Sequence, residues 1–430
     1  MKRALIISPY FPPTNAADMQ RVRMSLPYFT DFGWDAEVVT VDEQYANLAK
    51  DDLLLQSIPP GIKVHRVKAL NPILAKLLGM GGISLRSLWY YRKKVSQLLK
   101  NGHYDLVYFS TTQFPVCILG PYWKKHYGVP YVIDMQDPWH SDYYQDKPKD
   151  QRPAKYWFSY RLNKYLEPKA IKQADGLISV SQAYIDTLKQ RYMAIKNIPA
   201  ATITFGFLER DLEIAQQNKA AFPPLLDEKY INIVYVGRGG ADMHKAIIPV
   251  FQALQHGLKT NQELFSRLKF YFIGTSYIAS AANKQAIKLL AQNYGVQDQV
   301  VEITERVSYY HTLSTLQQAD ALFIPGSDDA QYTASKIYAY MLAKKPLLAI
   351  FHPDSNAVGI LKKCTGHAIV LTLGDDTAKV NGMLNKTLEN WANRLFEPIN
   401  LTKEIEDYNA KTLTGKQCEL FNRVLTNVSR

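Results

Sequence analysis

The sequence predicts an α/β protein of two tandem Rossmann-like, doubly wound domains facing each other across a cleft. Two observations lead there. Short apolar runs alternate with segments of helical apolar spacing through the first half of the chain, and the same rhythm restarts near Tyr230. At 430 residues the chain is also too long for one ordinary core and suits two.

The first run, "RALIISPYF", leads into Pro12 and Pro13 and a polar turn, "TNAAD". "MQRVRMSLPYFTDFG" then carries apolar residues at helical spacing as far as Gly33, and "DAEVVTVD" follows as a second strand. Strand, helix and strand within about 40 residues is the βαβ unit of a parallel sheet. "YDLVYFST", "PYVIDMQD" and "ADGLISVS" continue the pattern, each a short strand ending in polar residues, and a strand in "AATITFGF" ends at Gly206. The second series runs "YINIVYVGRGG", the helix "KAIIPVFQALQHGL", then "LKFYFIGT", "QVVEITERV", "ADALFIPGS" and "KPLLAIF". These signals place a first domain at 1–206, a second at 207–396 and a helical segment at 397–430 able to pack back on the first.

Composition is that of a folded protein, with 47% hydrophobic and 21% charged residues. Cys117, Cys364 and Cys418 stand far apart, which excludes a C-x-x-C zinc or redox site and suits reduced thiols in a cytoplasm. The apolar run after "MKR" is too short for a signal peptide, and no stretch reaches the roughly 18 apolar residues of a membrane span. A net charge of +12 implies an anionic partner: nucleic acid, a phospholipid surface or a phosphorylated substrate. No helix-turn-helix, zinc or RNA-binding signature accompanies the charge, which argues against nucleic acid.

Ligands of parallel sheets bind beyond the carboxyl ends of the strands, so those ends are the candidate sites. In "VGRGGADMHK", Gly237 and Gly239 allow close backbone approach, while Arg238 and Lys245 would suit a diphosphate; the bland alternative is two solvated surface charges. The stretch lacks the Gly-Lys-Ser/Thr of a Walker loop. In "YTASKIYAYMLAKKPLLAI", Thr333 reads as an N-cap with Ser335 and Lys336 in the first helical turn. A lysine there opposes the helix dipole unless an anion lies between them. Ala339 shares their face.

Taken together, "YFPPTNAADMQRV", "IDMQDPW", "ISVSQAYIDTLKQRY", "VGRGGADMHK" and "ASKIYAYMLAKKPLLAI" make most of the chain resemble the family-4 retaining glycosyltransferases of the GT-B fold. The resemblance implies transfer of a sugar from a nucleotide-diphosphate sugar to a glycan or lipid-linked acceptor, with retention of configuration and no cofactor or essential metal. It places the acceptor in the first domain and the donor in the second, in surface polysaccharide biosynthesis. Arg238 and Lys245 match the family's basic pair on the donor diphosphate, and Ser335 with Lys336 matches the stretch beside it.

The departures are specific. Two glutamates usual in the family are Gln331 and Ala339 here: Gln331 can still bond a sugar hydroxyl, but Ala339 cannot bind a ribose. The usual glycine-rich turn of the first domain is Thr14, Asn15, Ala16 and Ala17. Arg21 and Arg23 follow it and would meet an anionic group, or else form a solvated face. "IDMQDPWHSDYY" offers Asp134, Asp137, Trp139 and His140, carboxylates and rings suited to sugar recognition; alternatively Asp137 caps a turn and Trp139 is core. Ser327, Asp328 and Asp329 would orient donor hydroxyls, or only form a turn. Counted by role, Arg238, Lys245 and Asp137 are the catalytic candidates, Gly237, Gly239, Gln331, Ser335, Lys336 and Asp328 the donor-binding ones, and Asn15, Arg21, Trp139 and His140 the acceptor-side ones.

The segment 72–100 mixes leucines and Trp89 with Lys76, Arg86, Arg92, Lys93 and Lys94, and reads either as a core helix with a solvated face or as a surface for the inner face of the plasma membrane. Two rival functions remain: a non-catalytic scaffold of glycan assembly with a degenerate donor site, and a phosphorylase or hydrolase on the same fold.

Overall fold

The computed structural model describes the chain apart from residues 78–79, 143–144, 146–148, 150–151, 153–155, 277–284, 330–334 and 429–430. It comprises two units: Met1–Gly206 with Tyr408–Arg430, and Phe207–Asp407. The chain therefore re-enters unit 1 at Tyr408, and 397–407 stay with unit 2.

Unit 1 is built on strands β1 (Lys2–Ile7), β2 (Trp34–Val41), β3 (Val64–Val67), β4 (Leu106–Ser110), β5 (Tyr131–Met135), β6 (Gly176–Ser179) and β7 (Ala200–Thr202). They form one parallel sheet in the order β3-β2-β1-β4-β5-β6-β7. A parallel sheet is covered on both faces, which is why its central strands read as unbroken apolar runs. Side chains alternate between two cores. Leu5, Ile7, Val107, Phe109 and Ile133 face Tyr91, Val95 and Trp123, while Ala4, Ile6, Leu106, Tyr108 and Val132 face Leu420, Phe421 and Val424.

The second of these cores is closed by the helix Ala410–Val428, which unit 1 acquires only at the end of the chain. Phe421 is its anchor. The ring lies 5.0 Å from Tyr108, 5.4 Å from Trp34 and 6.4 Å from Phe29. The helix Ile83–Asn101 covers the other face through Ile83, Tyr91, Val95 and Leu99. Its Arg86 is buried too, donating to the carbonyls of Leu70 and Tyr45.

Unit 2 carries β8 (Ile231–Val236), β9 (Leu268–Ile273), β10 (Val300–Ile303), β11 (Ala321–Pro325), β12 (Leu347–Phe351) and, after a short β13 (Thr365–Gly366), β14 (Ile369–Thr372). These six, leaving out β13, are parallel in the order β10-β9-β8-β11-β12-β14; β13 pairs antiparallel with β15 (Asn400–Leu401). The order reverses between β1 and β4 in unit 1 and between β8 and β11 in unit 2, and at these switch points the loops part and leave a crevice.

A buried ion pair fastens the carboxyl edge of unit 1. Arg21 Nε lies 2.7 Å from Asp134 Oδ2, an oxygen that also accepts from Ser110 Oγ at 2.9 Å and Gln136 Nε2 at 3.1 Å. The remaining guanidinium N–H groups donate to the carbonyls of Ile203 at 2.7 Å and Thr204 at 3.2 Å. Arg21, expected to meet a ligand on the acceptor side, is thus fully engaged inside the fold. Arg23 is buried as well, bonded to Gln20 and Ser57.

Replacing Arg21 by methionine leaves Asp134 buried without its counter-ion and should lower stability by about 3–5 kcal/mol. Phe421→Ala should cost a similar amount, about 3–5 kcal/mol, by opening a cavity under the returning helix. Urea denaturation of the full chain reads both, and a loss below about 1 kcal/mol in either would remove that residue from the unit's main supports.

Candidate active site

The richest cluster of functional groups lies at the carboxyl edge of the unit 2 sheet, where β8 and β11 part. After Val236 the chain turns at Gly237, whose φ of +158° and lack of a side chain leave room for the Lys336 ammonium and the Tyr235 hydroxyl; a Cβ would collide with both. Gly239 serves packing in the same way, since a Cβ there would come within 2.9 Å of Thr275 and 2.8 Å of Ile287.

Arg238 points its two terminal nitrogens at the carboxylate of Asp242, at 2.7 and 2.6 Å. Asp242 also accepts from the Ser327 hydroxyl, and its backbone carbonyl accepts from the Asp328 N–H at 2.9 Å. Desolvation works to raise the Asp242 carboxyl, but the bonds from Arg238 and Ser327 outweigh it and hold it below the usual carboxylate range. Lys245, in the first turn of the helix His244–Thr260, reaches Asp328 at 3.0 Å. That side chain is 69% exposed, so the pair is a weak one that a stronger anion would displace.

Lys336 stands on the other side of Tyr235. Its ammonium donates to the Tyr235 hydroxyl at 2.8 Å and lies 4.6 Å from the ring centroid, while the same hydroxyl donates to the Arg238 carbonyl at 2.9 Å. The residue is half-buried, and its ammonium packs against Gly237 and the Tyr235 ring. Burial, followed by the charges of Arg238 and Arg306, lowers it to about 7. The structure corrects one expectation here: the helix is short, Ile337–Leu342, and Lys336 precedes it instead of lying in its first turn. Ser335 is exposed in the turn before it, Ala339 is half-buried, and Gln331 and Thr333 lie outside the described residues.

At the corresponding edge of unit 1, Asp18 is buried and one of its oxygens accepts from the Thr111 hydroxyl at 2.8 Å and from the Thr112 N–H at 3.0 Å. Burial raises its carboxyl against these bonds. Asp137 is exposed as a residue, yet its carboxyl is also raised, by desolvation and then by the like charge of Asp18. Asn15 is half-buried, and its N–H ties the loop to the Ala49 carbonyl at 2.9 Å.

Trp139 is core, as its bland reading had it: it is buried, stacks on Phe114 at 5.4 Å and donates to Asn163. Its ring is not available to a sugar. His140 is buried with it; its N–H donates to Glu167 at 3.0 Å, and burial lowers its imidazole below the usual histidine range. Glu167 also holds Arg191 at 2.6 Å and Tyr192 at 2.7 Å. Asp242, Tyr235, Asp18 and Glu167 escaped the sequence reading. Only Asp242 carries a local signal, standing four residues after Arg238 where one turn brings the two together.

Comparison with known proteins bears on both units. Residues 28–203, most of unit 1, match the model of Glycosyltransferase Family 4. No curated protein matches the sequence. Among solved structures, the sucrose-phosphate synthase of Thermosynechococcus elongatus superposes with a TM-score of 0.57 at 14% identity, covering 99% of this chain and 100% of that one. The UDP-forming trehalose-phosphate synthase of Burkholderia xenovorans, in complex with glucose-6-phosphate, gives 0.60 at 11% identity, covering 98% and 100%. Anabaena HepE in complex with UDP and glucose gives 0.53 at 16% identity, covering 100% of each chain. The resemblance to the family-4 glycosyltransferases therefore holds, over residues 28–203 for the family model and over both doubly wound units for the GT-B fold.

Proposed function

We propose that the chain is a retaining glycosyltransferase that moves a sugar from a nucleotide-diphosphate sugar to a glycan or lipid-linked acceptor in surface polysaccharide biosynthesis. The observation that carries this reading is the meeting of Arg238, Lys245 and Lys336 at one strand edge of unit 2, with Asp242 fixing the first of them. Diphosphate is the ligand such a set of cations would recognise, and the departing nucleoside diphosphate is where negative charge grows during transfer. Ser335 and Asp328 would lie beside the sugar. On unit 1, the raised carboxyl of Asp137 would hold an acceptor hydroxyl. HepE was solved with UDP and glucose, which makes UDP the first probe to try.

Calorimetric titration with UDP, GDP and ADP should find at least one that binds. Arg238→Ala should then reduce kcat/KM by about 100-fold to 1000-fold, the usual loss when one group stabilising the transition state is removed. Lys245→Ala, at a more exposed position, should weaken binding by a smaller factor. If none of the three nucleotides binds, the donor reading fails. Binding without transfer to any glycan acceptor would favour the scaffold instead.

Peripheral attachment to an anionic membrane is the finer reading of the +12 charge. No described helix is long and apolar enough to cross a membrane. Unit 1 leaves Trp89 63% exposed with Lys93 beside its ring, and the helix Tyr156–Ile171 leaves Phe158 and Tyr165 exposed among lysines. Flotation with phosphatidylglycerol vesicles at low salt should carry the protein upward. Recovery in the bottom fraction would end this reading.

A further inference from the structure

Lys336 is a half-buried cation packed against Gly237 and Tyr235, with no carboxylate partner among the described residues. Its one hydrogen bond is to the neutral hydroxyl of Tyr235, and it makes no ion pair among the described residues. The undescribed residues of unit 2, 277–284 and 330–334, contain no Asp or Glu. The acids nearby in the fold are already engaged. Asp242 holds Arg238 and Ser327, Asp328 holds Lys245, and Glu302 accepts from the Thr275 hydroxyl and the Lys288 N–H.

The groups around the ammonium are neutral or positive, apart from Asp242, whose carboxylate is taken by Arg238 and Ser327. From β8 comes Tyr235, and from the loop after it come Arg238 and its partner Asp242. Arg306, following β10, adds a second guanidinium charge. On the helix that Lys336 precedes, Tyr340 bonds the backbone of Val236 and brings no charge. A half-buried cation with positive charge nearby and no acid of its own is disfavoured, and a dianion bound beside it reverses the sign.

We propose that Lys336 is a donor-diphosphate ligand that takes up a proton as the donor binds, and that Tyr235 is the residue that positions it. This rests on the donor reading given above. Tyr235 suits the role because one hydroxyl accepts from Lys336 and donates to the Arg238 carbonyl, tying both cations to β8. With the ammonium lowered to about 7, a large share of Lys336 is neutral at neutral pH and above. A bound diphosphate raises that value. The sign follows: binding takes up a proton above the free value, and affinity is greatest below about pH 7 and falls as pH rises through it.

The test is calorimetric titration with UDP-glucose, GDP-mannose and ADP-glucose from pH 6.5 to 8.5, in two buffers of different ionisation heat. Their diphosphate diesters do not titrate in that range. For whichever donor binds, Kd should rise about 20-fold across the range, following the neutral fraction of Lys336, with proton uptake visible as a buffer-dependent heat. Lys336→Met should bind weakly at every pH with no proton uptake, and Tyr235→Phe should weaken binding at pH 6.5 while keeping some of the pH dependence. A wild-type Kd that stays flat with no proton uptake would overturn the inference and leave the donor reading intact. So would a pH dependence unchanged in Lys336→Met. Failure of all three sugars to bind at pH 6.5 overturns both.

Discussion

The carboxylate of Asp242 decides how the carboxyl edge of the unit 2 sheet is put together. It grips Arg238 from the loop after β8, takes the hydroxyl of Ser327 from the loop after β11, and through its backbone carbonyl fixes Asp328. These loops flank the switch point, where the topology sends them apart. Without a charged link they would be independent, and Arg238 would sample many rotamers. With it, the guanidinium is held in one place before any ligand arrives, which is what electrostatic stabilisation of a leaving group requires.

The two units handle buried charge in opposite ways. In unit 1, Arg21 with Asp134 and Arg191 with Glu167 are matched pairs whose remaining atoms largely meet backbone carbonyls or hydroxyls. A charge matched in this way fastens a fold and has little left for a ligand. In unit 2 the accounting is lopsided: Asp242 serves Arg238, but Lys336 has only a phenol. Unit 2 thus keeps a half-buried positive charge with no acid partner among the described residues, the imbalance on which the proposed diphosphate site rests.

What the sequence made legible follows from burial. Strands β1, β2, β4, β5, β6, β8, β9, β11 and β12 are nearly all interior, so their apolar runs stand out. The edge strands β3, "VHRV", and β14, "IVLT", went unnoticed because each is short and half-exposed, with no run to see. At the site, Arg238, Lys245 and Lys336 could be found because glycines and strand ends mark their places. Arg21, Trp139 and His140 also follow strands, but the chemistry of a side chain does not say whether it faces outward; Phe114, Asn163, Glu167 and Asp134 settle that, and all four are distant in sequence from the residue they engage. Tyr235 was hidden inside an apolar strand, where a tyrosine reads as core.

Ala339 gains a different meaning from this charge balance. The family resemblance makes it the position of a ribose-binding carboxylate, and on that ground alone it is a loss. The structure places it three residues after Lys336, its N–H bonded to the Lys336 carbonyl at 3.1 Å, so a carboxylate there would start from the same turn as the ammonium. An acid within reach of a half-buried lysine stabilises its charged form whether or not a ligand is present. Alanine removes that standing partner along with any ribose contact. Under the proposed function, the positive charge of Lys336 would then depend on the ligand, and a weaker hold on the nucleoside would go together with a stronger dependence on the diphosphate.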